Sequence, residues 1–295
     1  MAPVRNLSMS YSTFVIALLW PAASLAASIA SSESCPVTNN HCTCLFKGPF
    51  YSIRCNSMSK MTDFKAVLSN VGENAAVLEL DSMHLEFLPL NDLSNSSLHT
   101  LIVGNSSFQR IHNSSGLHQP VVNLHHLSLE NVTFSEKQLC EQSLVSLTVT
   151  ESNITRIERN SLKLLTNLTA LRISYNNLRT FRRDALPQTS KLEQLRLDSN
   201  RIHTLPAGVF SDLPHLKLVS LSNNTISTLP QDVFGPLWKP DVYIDLRGNP
   251  LKCDRRLLWT VTSETKPKRI IGKCVHPKQH FGKNIADLTE EELNC

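Results

Sequence analysis

The residues with the most chemistry to offer are eight cysteines, unevenly spread. Cys35, Cys42, Cys44 and Cys55 make a C-x6-C-x-C-x10-C group, Cys253, Cys274 and Cys295 lie near the other terminus, and Cys140 stands alone between them. A Cys-x-Cys pair can open a metal site, but thiols exported to an oxidising compartment are expected to end as disulfides. An export signal is written at the start of the chain: Arg5, an apolar run from Phe14 to Trp20, and small residues from Ala22 to Ala30. That layout predicts a secretory signal peptide over 1–30, cut after Ala26 or Ala30. The run is shorter than the roughly 20 apolar residues a bilayer demands and stops at Pro21. With no second such run, the mature chain is expected outside the cell, secreted, with no membrane span. Seven N-x-S/T sequons beyond the expected signal peptide, at Asn95, Asn105, Asn113, Asn131, Asn153, Asn167 and Asn223, agree with that compartment and predict a glycoprotein, with some sites left unused.

Signatures of catalysis are missing. There is no G-x-S-x-G, H-E-x-x-H, phosphate-binding glycine loop or EF-hand loop. The adjacent His125 and His126 make a poor chelate, because neighbours on a strand point to opposite faces; His126 is the one expected outward. The carboxylates are dispersed, so no enzyme, cofactor or metal site is expected. A net charge of +4, falling by one if Arg5 leaves with the signal, does not call for nucleic acid. Locally the balance differs: Lys252, Arg255, Arg256, Lys266, Lys268, Arg269, Lys273, Lys278 and Lys283 face only Asp254 and Glu264 in that span. Such a cap can bind sulfated glycans or simply be a solvated face.

The element that must position all of this is the stretch 192–214, LEQLRLDSNRIHTLPAGVFSDLP. Leu195 and Leu197 share one face of a short strand, so the residues beside them face outward. Asn200 sits where the chain leaves the strand, with an amide able to satisfy turn backbone groups. One such coil cannot bury its own leucines, so it must be stacked on copies. The asparagine position recurs at Met83, Ser106, Val132, Ser152, Asn176, Asn200, Asn224 and Asn249, spaced by 23, 26, 20, 24, 24, 24 and 25 residues. The second half is regular and the first is not. Met83 and Val132 cannot make an asparagine's hydrogen bonds, and Ser106 and Ser152 can make only some.

Aligning the strands gives the outward columns. One reads Glu79, Ile102, Ser128, Thr148, Arg172, Arg196, Ser220 and Asp245; the next reads Asp81, Gly104, Glu130, Thr150, Ser174, Asp198, Ser222 and Arg247; the preceding one contributes His126, Gln194 and Tyr243. Arg172, Arg196, Asp198, Tyr243, Asp245 and Arg247 therefore gather towards the carboxyl end as a candidate ligand-binding patch, rich in the residue types that dominate interfaces. The alternative is that Arg196 pairs with Asp198, and Asp245 with Arg247, on a solvated sheet. Ahead of the strands, Met61, Phe64, Val67 and Leu68 recur at helical spacing and predict a short helix.

The 24-residue coils with L-P-x-x-x-F, at Leu205-Pro206 to Phe210 and Leu229-Pro230 to Phe234, resemble the typical class of extracellular leucine-rich repeat proteins. The resemblance implies an α/β horseshoe solenoid, with a parallel concave sheet and an irregular or short-helical convex side. It also implies a cysteine-rich amino-terminal cap, here 31–74, with Cys35 bonded to Cys44 and Cys42 to Cys55. About eight repeats follow over 75–250. The run N-P-L-x-C-D from Asn249 resembles the family's carboxyl-terminal cap, here 251–295, and implies a bond between Cys253 and Cys274. Arg255 stands where the family has a further cysteine, which leaves Cys295 free, differently paired or open to intermolecular bonding, and Cys140 buried and unpaired. Such proteins bind other macromolecules in recognition, adhesion or signalling, so an extracellular or cell-surface protein is the expected partner. A more distant likeness, to the leucine-rich non-catalytic subunit of oplophorus-type luciferases, implies the alternative of an accessory subunit in an extracellular enzyme complex.

Overall fold

The structure, a computed structural model, describes residues 40–47, 49–71, 74–87, 98–110, 126–130 and 144–294. The chain divides into two units, Met1–Ser34 and Cys35–Cys295. The first, with the expected signal peptide, lies outside the described residues, as do Cys35, Cys140, Cys295, His125, Asn95, Asn113 and Asn131.

Within the second unit the strands are β1 Cys42–Lys47, β2 Phe50–Asn56, β3 Ala75–Asp81, β4 His84–Phe87, β5 Thr100–Gly104, β6 Ser107–Arg110, β7 His126–Glu130, β8 Ser146–Thr150, β9 Ala170–Arg172, β10 Gln194–Arg196, β11 Leu218–Ser220, β12 Tyr243–Asp245, β13 Leu251–Lys252, β14 Arg269–Ile271 and β15 Cys274–His276. Eleven of them form one sheet in the order β1-β2-β3-β5-β7-β8-β9-β10-β11-β12-β14. Every pairing in it is parallel except the β1–β2 hairpin. Small parallel ladders join β4 to β6 and β13 to β15.

The L-x-L pattern explains the sheet. Leu78, Leu101, Leu127, Leu147, Leu171, Leu195, Val219 and Ile244 are register partners in succession, and none is more than 2% exposed. Burying such a side chain stabilises by about 1.5–3 kcal/mol, but each is covered only because the next coil stacks on it. The register holds from β3 to β9 without a shift, although the repeat length there varies.

The asparagines form a ladder between coils. Asn200 accepts from Leu178 N at 3.0 Å and donates to the carbonyls of Ile173 and Leu197 at 2.7 and 3.0 Å. Asn224 does the same for Ile202 N and the carbonyls of Leu197 and Leu221, and Asn249 for Ile226 N and the carbonyls of Leu221 and Leu246. Asn176 accepts from both Ser152 N and Ile154 N. In the irregular half a hydroxyl supplies part of this: Ser106 Oγ accepts from Met83 N at 3.0 Å and donates to Gly104 O. The residue before each described ladder position is left-handed, with φ between 45° and 70° at Ser82, Asn105, Glu151, Tyr175, Ser199, Asn223 and Gly248.

Both ends are covered. Helix α1, Met61–Ser69, buries Phe64, Val67 and Leu68, and Cys42 is bonded to Cys55; Cys44 is also in a disulfide, its expected partner Cys35 lying outside the described residues. At the other end Cys253 is bonded to Cys274. Trp238 and Trp259 pack at 4.6 Å, and the Trp259 indole donates to Leu229 O. The convex side carries a short helix α2, Gln231–Phe234, with two more in the cap, α3 Leu258–Thr262 and α4 Glu290–Asn294. Among the described residues no helix is long and apolar enough to cross a membrane.

Candidate binding surface

The outward face over β9 to β14 is set by the inward one. Leu171, Leu195, Val219 and Ile244 are fixed in the core, so the residues flanking each of them point away from it. One outward row joins Gln194, Leu218, Tyr243 and Arg269; the next joins Arg172, Arg196, Ser220, Asp245 and Ile271. Neighbours in a row are about 4.8 Å apart.

Of the six residues singled out from the sequence, the structure separates two groups. Asp245 is 5% exposed and is locked to Arg247: its carboxylate accepts from Arg247 N at 3.1 Å and from the guanidinium through Nε at 3.0 Å and Nη2 at 2.6 Å. Hydrogen bonding to Asp245, and then its charge, pushes Arg247 above the ordinary arginine value. This pair is a brace for the turn after β12: the pairing is the one the alternative reading describes, with the carboxylate buried rather than solvated. Arg196 and Asp198 behave otherwise. They do not pair, and the exposed Arg196 guanidinium makes no hydrogen bond or ion pair among the described residues. Its register partner Arg172 is half-buried and donates through Nε to the Ser174 hydroxyl at 3.2 Å.

Sequence reasoning missed one contributor. Strand β14 of the cap adds Arg269 to the row, its guanidinium 6.0 Å from the Tyr243 ring centroid, within cation–π range. The signal was thin: a three-residue Arg-Ile-Ile strand inside a basic loop. At the amino end β2 likewise joins the sheet, and Arg54 meets Glu79 in the next strand at 2.5 Å; its alternation of buried Tyr51, Ile53 and Cys55 with outward Ser52 and Arg54 was legible.

The described sequon asparagines, Asn105, Asn153, Asn167 and Asn223, are all exposed. Asn105, Asn153 and Asn223 have φ of 45°, 55° and 53°; asparagine tolerates this region better than most residues, so the backbone supplies its own reason for them. The backbone of His126 is paired in β7 between Thr100 and Ser146. Among the described residues no group of three or more His, Cys, Asp or Glu is gathered as a metal site.

A mostly parallel sheet built from stacked coils, with an asparagine ladder and disulfide-bonded ends, defines a leucine-rich repeat solenoid. The family model described as Leucine rich repeat matches residues 142–202 and 190–251. No curated protein sequence matches the chain. Among solved structures 315 chains match. One is human 5T4 (Wnt-activated inhibitory factor 1, Trophoblast glycoprotein), 20% identical, with a TM-score of 0.59 over 83% of this chain and 95% of that one. Likeness at that identity carries the fold.

Proposed function

We propose that the protein is a secreted, glycosylated recognition protein that binds another extracellular or cell-surface protein through the outward sheet face over β9 to β14. The observation that carries this reading is Arg196, an exposed guanidinium with no partner among the described residues, held in register with Arg172. A carboxylate on a partner would accept two hydrogen bonds from such a fork, with Tyr243 and Arg269 adding contact area in the next row. Disulfides at both ends of the solenoid fit an oxidising compartment. The name of human 5T4 includes the word glycoprotein, and the exposed sequons here support the same for this chain.

The test is affinity capture from extracellular fluid and cell surfaces with wild type beside Arg196→Glu and Arg172→Glu. A specific protein lost by both variants, with unchanged secretion and melting temperature, is the expected result. Equal capture by all three would remove the assignment to this face. Arg247→Glu is unsuitable as a probe, because it breaks the Asp245 brace.

A further inference from the structure

We propose a second site, adjoining the outward face at Arg269 alone: a groove in the carboxyl-terminal cap that binds a sulfated polysaccharide. The groove, about 420 Å³, is bounded by α3, by β14 with the loop that leads into it, and by the stretch from Asn284, lined among others by Lys266, Lys268, Arg269, Asn284, Trp238 and Ile285. No carboxylate lines it. The reason lies in how the cap spends its acids. Asp254 is bonded to Arg256, Asp287 accepts from Asn284, and Glu292 pairs with Lys283. Glu264, Glu290 and Glu291 remain, exposed and not among the lining residues. Lys266 and Lys268 are exposed and make no hydrogen bond or ion pair among the described residues. Two ammonium groups at i and i+2 thus stand on one wall, with Arg269 beside them against Tyr243.

The spacing selects the ligand. A single phosphate is held by donors that converge on one point, often backbone amides. Here the cations are successive lining residues of one open groove, Lys266 and Lys268 in the loop that leads into β14 and Arg269 at the start of that strand, which suits a chain carrying several anionic groups. In an extracellular setting that chain is a sulfated polysaccharide. Attraction of this kind acts over about 8 Å at physiological salt, so binding should weaken steeply as salt rises.

The experiment uses the full chain and a heparin octasaccharide of defined length at 0.15 M salt, read by titration calorimetry. Wild type is expected to bind, and Lys266→Ser/Lys268→Ser to bind about tenfold more weakly, the equivalent of about 1.4 kcal/mol, with an unchanged melting temperature. Arg172→Ser/Arg196→Ser is expected to bind the octasaccharide like wild type, which separates this site from the outward face. The proposal is overturned if wild type does not bind, if the lysine variant binds equally well, or if desulfated octasaccharide or single-stranded DNA of matched charge binds as tightly as the sulfated probe.

Discussion

Replacing Asn200 by alanine should test the ladder most directly. The side chain is 8% exposed and joins two coils. Its loss leaves Leu178 N–H, in a fully buried residue, without its acceptor, and Ile173 C=O without the amide donor at 2.7 Å. Leu197 C=O keeps a donor, because Asn224 Nδ2 also reaches it at 3.0 Å. Two orphaned groups at about 1–3 kcal/mol each, offset by no longer burying the amide, give a net loss of about 3 kcal/mol. With a urea m-value of about 3 kcal/mol/M, the midpoint should fall by about 1 M, followed by tryptophan fluorescence. Ser106→Ala is the internal comparison: it strands Met83 N–H, while Gly104 C=O keeps the bond from Ser82 N, so about half the loss is expected. Asn200→Asp adds a sign. A carboxylate there faces the carbonyls of Ile173 and Leu197, and burial raises its folded pKa above the ordinary value of about 3.9. The protonated form is then the one the fold tolerates, so the deficit relative to wild type should shrink as pH falls through the raised value. A midpoint for Asn200→Ala no lower than that of Ser106→Ala would refute the view that the amide holds the coils together.

Gly248 has φ of +70°, and a Cβ there would lie 2.2 Å from Asn223 Oδ1. Gly248→Ala should cost about 1–2 kcal/mol in left-handed strain plus the collision, and adding Asn223→Gly should recover the collision together with the smaller strain of Asn223's own φ of 53°; a double variant no more stable than the single in urea would contradict this. Asp254 is held below the ordinary carboxylate range, chiefly by the hydrogen bond from the Arg256 side chain, with burial opposing. Its contribution is present above the unfolded pKa of about 3.9 and is lost as pH falls through the depressed folded value. Asp254→Asn should therefore melt below wild type near neutrality and approach it in acid; a gap in melting temperature that ignores pH would assign the residue to capping the turn through Arg256 N alone.

The sequence was readable wherever local pattern and burial demanded the same thing. The columns through Arg172 and Arg196 follow from the alternation of a strand once its leucines are inward, and the structure pairs them in that register. The helix over Met61–Ser69 follows from its apolar spacing. Two kinds of feature were not readable. Strand β14 is three residues long and gains its place from Ile244 in the strand beside it, a tertiary cause with little local trace. The pairing of outward charges depends on rotamers: Asp245 and Arg247 close on each other while Arg196 and Asp198, with the same i, i+2 spacing, do not.

The sheet register, unbroken from β3 to β12 although ladder positions stand 20 to 26 residues apart, has a consequence for how such a chain can change. Insertions and deletions between strands leave the outward positions on the same grid, at one strand spacing across and two residues along. Surface identity and loop length are therefore separable variables. A lineage can rewrite the face by point substitution at outward positions such as Gln194, Arg196 and Tyr243 while lengthening or trimming the convex side, and neither change disturbs the leucines that hold the stack.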